Sequence, residues 1–530
     1  MYNFAMLPES PLMTIESRLR YLLPAEMYVA MWGNPSLEVM VEVHKHLRTL
    51  QRILHDYTAR QVDMARLKPG DVRTEWQQGT MMFTDLAGFT KLMEANSLYG
   101  REGAENLVKQ LTKYFSAMIE IISKSSGDLV EFTGDAMLVI FPRTEKNDDA
   151  VRAVRAGLRM QRAMKEIAAI ETAAGSVNLK MRIGIHSGRF LTADIGTPRR
   201  MEHVLLGRDV HQAKLIESLG RNERVNLSEQ AYERVKHLFR VENGEPGCHL
   251  VIDDLSDAEL GEYEILPARR RAASKVLLEM DKSAVLEQIV SLLDSIEPMA
   301  SFIPGPVLTL LIESAADRAI RPDFPRPTIL FVNIVGLAEC ADRALPGEER
   351  KLALSFSRVF SLINAAVEAR GGVLKKVTYH LSGSDMVIYF GAPTAHTNDE
   401  MRAASAAVAI REIVRSISPP VIGEIQPEVY CQIGIHSGPA FVGEIGEPRG
   451  RREYNLLGDT VNTTARLMNL AMKNQIVLSE CVQKVIEANY ECLSMGEIPL
   501  KGKERPMPLF ELIQQNTGET FKGRPVSSIA

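Results

Sequence analysis

Cysteine is scarce: five residues in 530, at Cys248, Cys340, Cys431, Cys481 and Cys492, odd in number and without a CxxC pair. A disulfide framework or a zinc site would show paired spacing, so neither is expected, and the scatter suits a reducing cytoplasm. Long apolar runs are also missing. No stretch of about eighteen uninterrupted apolar residues occurs, so no membrane span is expected. The first residues, "MYNFAMLPESPLM", lack the basic region and apolar core of a secretion signal. Excess positive charge is absent too. Lys and Arg number 62 against 67 Asp and Glu, giving a net charge of -5 and a pI near 6.2. A general nucleic-acid binder would usually be basic. What remains, 45% hydrophobic and 24% charged residues, is ordinary globular composition.

A chain of 530 residues exceeds what one hydrophobic core can organise, so two or three domains are expected. Internal repeats give the division. "IGIHSG" occurs at 183–188 and again at 433–438. "MMFTDLAGFT" (81–90) aligns with "ILFVNIVGLA" (329–338), and "VLLGRDVHQAKLIE" (204–217) with "NLLGDTVNTTARLM" (455–468). "SGDLVEFTGDAMLVIF" (126–141) aligns with "GGVLKKVTYHLSGSDMVIYF" (371–390) once the four residues "YHLS" are allowed as an insertion at a hairpin. Short apolar runs such as "AMLVIF" read as buried strands, and the stretch "EGAENLVKQLTKYFSAMIEIISKSS" as an amphipathic helix. Strand, helix, hairpin, helix and strand predict an α+β, ferredoxin-like core in each copy. The expected organisation is a helical region at 1–75, a first domain at 76–267, a helix-bearing linker at 268–325, a second domain at 326–515 and a tail at 516–530.

Residues 36–57 carry Met40, Val43, Leu47, Leu50, Leu54 and Tyr57 at alternating steps of three and four, after Pro35 and Ser36. This heptad stripe predicts a helix, packed on its own chain or pairing with a second copy as a homodimer. The basic run "ARRRAASK" (268–275) reads as a solvated turn or as a kinase site.

The chemistry-bearing residues are unequally shared. Asp85 follows an apolar strand, and Asp135 lies in "TGDAM" between two predicted strands. Two carboxylates meeting at strand ends repel unless a cation joins them, and hard oxygen ligands favour Mg²⁺ or Mn²⁺. Backbone N–H groups of Ala87, Gly88, Phe89 and Thr90, at the start of a helix, could hold phosphate oxygens. Alone, each aspartate is more commonly a turn or cap residue. In the second copy Asn333 and Ser384 replace them, and Asp385 is shifted to the opposite side of its strand. That copy instead holds Lys376 where the first has Glu131, with Asn462 and Arg466 one helical turn apart in place of His211 and Leu215.

These residues resemble class III nucleotide cyclases, over about 80–265 and 326–513. The motifs that carry the resemblance are "FTDLAGFT", "TGDAM", "YNLLGDTVNTTARL" and the tail "LKGKERPMPLFEL" (500–512). The tandem arrangement is similar to that of soluble adenylyl cyclases with two catalytic domains in one chain. The resemblance implies a head-to-tail pair around a pseudo-twofold axis, with sites at the interface. It places Asp85, Leu86 and Asp135 at two metal ions, Mg²⁺ or Mn²⁺. It gives Lys376 and Asn455 to the purine, Asn462 to the ribose and Arg466 to the pentavalent phosphorus.

The residue chemistry suits that implication. In-line attack of the ribose 3′-oxygen on the α-phosphorus is helped by a cation that acidifies the hydroxyl and another that screens the triphosphate. A fixed arginine then stabilises the spreading charge. Lys376 can donate to unprotonated adenine N1, whereas guanine carries an N–H there, so ATP is expected over GTP. The family usually has Asp or Thr where Asn455 stands, and an amide can accept or donate, so selectivity rests mainly on Lys376. The mirror-related site, with Asn333, Ser384, Glu131, His211 and Leu215, lacks metal ligands and arginine and should not turn over. In soluble family members such a site binds a regulator, bicarbonate among them; here Lys214 would attract an anion and Glu131 repel it. His186 and His436 sit in both copies, including the one without ligands, so a structural role is expected. Two rivals stay open: a guanylyl cyclase, and a silent nucleotide-sensing module signalling through the 36–57 helix.

Overall fold

The computed structural model describes residues 12–65, 67–172, 175–261, 281–379, 382–448, 450–501, 503 and 505–516. The basic run's "RRRAAS" and the tail beyond 516 lie outside these residues.

Ser36 caps the helix foreseen at 36–57: its hydroxyl accepts from Val39 N at 3.2 Å, and α1 runs Leu37–Tyr57. All six stripe residues are buried. They pack against Val285, Ile289, Leu293 and Ile296 of α6 (Lys282–Ala300), with α7 (Gly305–Glu313) alongside. The face that could have paired with a second copy is thus covered by the chain's own linker, which is the first of the two alternatives that the stripe left open. Fully burying such leucines is worth roughly 1.5–3 kcal/mol each, and two amphipathic stripes satisfy each other without a partner.

Each repeat forms one domain. In the first, β1 (Arg73–Ala87) leads through α2 (Phe89–Ser97) and α3 (Gly100–Lys124) to the hairpin β2 (Asp128–Thr133) and β3 (Ala136–Pro142). Helix α4 (Asp149–Ile167), β4 (Lys180–Thr197), β5 (Arg200–Leu206), α5 (Arg208–Leu219), β6 (Val225–Ser228), β7 (Val241–Asn243) and β8 (Cys248–Val251) complete it. The sheet order is β2-β3-β1-β4-β6-β8-β7, with β5 paired to the end of β4.

The second domain repeats this with β9 (Thr328–Val335), α8 (Glu349–Glu368), β10 (Val373–Tyr379), β11 (Ser384–Phe390), α9 (Asp399–Arg415) and β12 (Tyr430–Ser437). There follow β13 (Phe441–Gly446), β14 (Arg452–Leu457), α10 (Asp459–Leu470), β15 (Gln475–Ser479), β16 (Tyr490–Ile498) and β17 (Met507–Gln515). Its order is β10-β11-β9-β12-β15-β17-β16, with β13 and β14 as a separate ribbon. The "LKGKERPMPLFEL" tail supplies the start of β17, as expected of a closing strand.

The two domains exchange arms. Phe441, Ile445 and Leu457 of the β13–β14 ribbon enter the first domain's core beside α3. Leu191, Ala193, Ile195, Val204 and Leu206 of β4 and β5 enter the second domain's core beside α8. This reciprocal burial fixes a head-to-tail pair within one chain.

Candidate active site at the interface of the two domains

Strand pairing puts the two copies in register. Asp85 on β1 lies opposite Arg182 on β4, and Asn333 on β9 lies opposite Gln432 on β12. A β-bulge at the same place in each copy, between Leu129 and Glu131 and between Leu374 and Lys376, makes Lys376 the counterpart of Glu131.

Strand β1 delivers Asp85 to its end, and Gly88 turns the chain into α2 with φ of 93°. A Cβ there would meet Asn178 O at 2.9 Å, so the turn requires glycine. Ala87 ends β1, and Phe89 and Thr90 form the first residues of α2, which leaves their backbone N–H groups at a helix start. Leu86 turns its side chain into the core, so only its backbone carbonyl could serve a cation. Asp135 follows Gly134, which has φ of 72°, at the β2–β3 turn. Burial, and then the negative charge of Asp85, push the Asp135 carboxyl up to about 7. Burial and the same two aspartates push the Tyr114 phenol above its ordinary range.

This donor set fits a hard divalent cation, because added positive charge would relieve the repulsion that holds the Asp135 proton. No cluster of three or more His, Cys, Asp or Glu suited to a metal occurs among the described residues. A site of one or two carboxylates completed by substrate phosphates, the usual Mg²⁺ arrangement, requires no such cluster.

The neighbours of Asp85 were not singled out in the sequence. Arg182 donates to Asp85 Oδ2 at 2.9 Å and to Glu217 Oε1 at 2.7 Å. Lys214 is engaged with Glu217 at 2.8 Å, so the cation expected to draw an anion to the mirror site already has a carboxylate partner. In the second domain the charged pair is replaced by two amides, and the buried Asp385 lies opposite Asn333 on β11. Asn333 Nδ2 donates to Gln432 Oε1 at 3.0 Å and Ser382 O at 2.8 Å, and Ser384 is buried.

Helix α10 begins beside the first domain. Its N-cap Gly458 lies against α2: a Cβ there would meet Met93 Cε at 3.4 Å. The mirror turn, Gly207, lies near Asp342, whose carboxylate accepts from Arg208 N at 2.5 Å. Asn462 is exposed on α10, and Arg466 one turn later is half-buried. Arg466 Nη1 is buried and has no hydrogen-bond partner among the described residues.

Lys376 and Asn455 are both buried at the interface. Lys376 Nζ donates to Phe132 O of the first domain and lies 3.3 Å from Glu453. Asn455 Oδ1 accepts from Lys375 Nζ and from Leu456 N, while its Nδ2 has no partner among the described residues. Burial and the adjacent Lys376 push the Lys375 ammonium down to about 7. Burial acts to raise Glu453, but Lys376, Arg451 and Lys375 outweigh it and hold this carboxyl at about 2. Arg451 ties the layers together, donating to Tyr57 O at 2.7 Å, Val130 O at 3.0 Å and Glu453 at 2.6 Å.

The two repeated histidines play matching parts. His186 Nδ1 lies 2.9 Å from Ser228 Oγ, and His436 Nδ1 lies 2.8 Å from Ser479 Oγ. Each pins its strand to the next parallel one.

Paired domains of this architecture are the fold of the class III nucleotide cyclase family. The family described as "Adenylate and Guanylate cyclase catalytic domain" matches residues 72–247 and 322–514, and this chain belongs to it. Adenylate cyclase type 10 of Rattus norvegicus is 23% identical over 455 residues, covering 84% of this chain and 27% of its own length. The chain thus spans about a quarter of that relative. The beta-2 subunit of soluble guanylate cyclase from Rattus norvegicus is 30% identical over 145 residues, 27% of this chain and 20% of its own. A crystal structure of a class III adenylyl cyclase-like ATP-binding protein from Pseudomonas aeruginosa has the same tandem fold. Its TM-score is 0.52 at 14% identity, covering 83% of this chain and 92% of that one. Among the described residues no helix is long and apolar enough to cross a membrane.

Proposed function

We propose that this protein is a cytoplasmic adenylyl cyclase with one working site and one degenerate site. The reaction joins the ribose 3′-oxygen of ATP to its α-phosphorus, breaks the bond to the β-phosphate bridge, and releases pyrophosphate and the hydroxyl proton. What supports this reading is the coupling of two nearby acids, Asp85 and Asp135, in the first domain, together with a buried Arg466 guanidinium nitrogen that lacks an acceptor among the described residues, on a helix whose N-cap lies against α2. A nucleoside triphosphate with its cations supplies what each side lacks.

Two Mg²⁺ or Mn²⁺ ions, held by Asp85, Asp135 and the Leu86 carbonyl, would lower the 3′-hydroxyl pKa and screen the triphosphate. The N–H groups from Ala87 to Thr90 take phosphate oxygens at a helix start. Arg466 stabilises charge on the equatorial oxygens, and Asn462 orients the ribose. Lys376 donates to adenine N1 and Asn455 reads the exocyclic group.

Two other readings have support. The Asn455 amide shows its donor unpaired, which favours guanine O6 and a guanylyl cyclase. The Pseudomonas neighbour is described as adenylyl cyclase-like and ATP-binding, which favours a silent nucleotide sensor. Purified protein with ATP or GTP, each with Mg²⁺ or Mn²⁺ and with or without bicarbonate, separates the three. Cyclic AMP as main product supports the proposal, cyclic GMP the first rival, and ATP binding without product the second.

A further inference from the structure

We propose that Lys375 sets the margin by which this site prefers adenine, by holding the Asn455 amide in one orientation. The inference rests on the reading of Asn455 as the group facing the purine's 6-position. The Lys375 ammonium and the Leu456 N–H can only donate, so the oxygen of Asn455 is the atom facing both. Leu456 N donates to the same oxygen at 3.0 Å, so a flip of the amide would break two bonds. Both lone pairs are occupied, and the amide nitrogen is left buried without a partner. Asn455 therefore offers the base a donor.

A donor suits the 6-oxo group of guanine and opposes the 6-amino group of adenine. For adenine to be accepted, the oxygen must leave both Lys375 Nζ and Leu456 N, and Lys375 holds it by the bond that a side chain can release. The structure has room for this. A cavity of about 90 Å³ beside Lys375 is walled in part by Glu131, Glu202 and Glu453, and Glu453 already lies 3.9 Å from Lys375 Nζ. The ammonium can shift toward these carboxylates while the amide turns its oxygen to the base. Lys376 still favours an unprotonated N1, so ATP remains the better substrate. Lys375 makes that preference narrower than Lys376 alone would give. It touches Asn455 rather than the base, so it is a positioning residue.

The test compares wild type with Lys375→Met, Lys375→Arg and Asn455→Asp. Two ratios are read: kcat/KM for ATP over GTP, and affinity for ATP over GTP from displacement of a fluorescent nucleotide. Lys375→Met should raise both ratios roughly tenfold, the worth of about one hydrogen bond. Lys375→Arg, which keeps the donor, should leave them near wild type. Asn455→Asp, with acceptors only, should raise them with Lys375 in place. Ratios unchanged or lowered in Lys375→Met overturn the proposal; if that variant does not fold, an unchanged ratio in Asn455→Asp does so. Should wild type bind both nucleotides but form no cyclic product, the cyclase reading fails while the affinity ratio still decides Lys375. If wild type binds neither nucleotide, both fail.

Discussion

Arg182 Nη2 sits 2.9 Å from Asp85 Oδ2 across the β1–β4 pair, and the mirror-related Gln432 sits 3.0 Å from Asn333. The strand frame is the same twice, but the charged Asp85–Arg182 pair becomes the amide pair Asn333–Gln432 in the second copy. A cation site needs the charged version, because a neutral amide offers neither the negative charge nor the paired oxygens. Asp85→Asn copies the second domain's chemistry into the first at nearly constant volume. Cyclic product should fall to background with Mg²⁺ and with Mn²⁺, while the thermal midpoint stays within a few degrees. Retained turnover would sink the assignment of Asp85.

Arg466 and Leu215 occupy equivalent places on α10 and α5, and of the two only Arg466 can carry charge to a phosphate. Arginines that stabilise a transferring phosphoryl group are often worth 10³–10⁵ in rate. Arg466→Ala should therefore lose roughly a thousandfold or more in kcat. His211→Ala, the mirror of Asn462, should stay within about twofold of wild type. Equal losses in the two variants would mean that the copies have been paired the wrong way round.

Phe441 belongs to the second domain by chain position and to the first domain's core by packing, with no exposed surface. Phe441→Ala should cost about 3–5 kcal/mol, the usual range for emptying such a site. Because the ring packs across the domain boundary, the loss should appear in both halves together. One cooperative urea transition, shifted to lower denaturant, is the expected trace; a shift confined to the second domain's probe would contradict the arm exchange.

Much of this was legible in the sequence, for reasons that can be stated. The duplication and the α1 stripe appear as spacing, and spacing survives into structure because buried faces must recur at the helix or strand period. Asp85, Asp135, Asn462 and Arg466 stood out because each differs between the copies. Lys375 did not. On a regular strand it would point away from Lys376, but the bulge after Leu374 turns both toward the interface, and no residue type marks a bulge of this kind. Arg182 and Glu217 were hidden differently. They meet only because β4 and α5 converge, a contact between segments 35 residues apart. The partner that covers the α1 stripe was hidden in the same way, since α6 lies 244 residues further on at the contact between Gln51 and Ser295.

His436 gives the last prediction, and its sign follows from the groups around it. Burial, and then Lys503, push its imidazole down to about 4; Asp459 opposes this and Arg326 adds to it. Its Nδ1 faces Ser479 Oγ at 2.8 Å and Cys481 Sγ at 3.5 Å. The folded protein thus keeps His436 neutral where the unfolded chain, with an ordinary value of 6.5, would take up a proton. The unfolded state binds more protons between pH 6.5 and 4, so stability must fall as pH falls through that window. Above it the contribution is fully present, and below it the loss is complete, at most about 3 kcal/mol. His436→Asn keeps a polar acceptor near Ser479 but removes the titrating ring. Urea midpoints at pH 7.5, 6 and 5 should show the variant less stable than wild type at the highest pH, with a shallower decline below it. Parallel declines would show that His436 does not titrate on unfolding and that its burial carries no acid sensitivity.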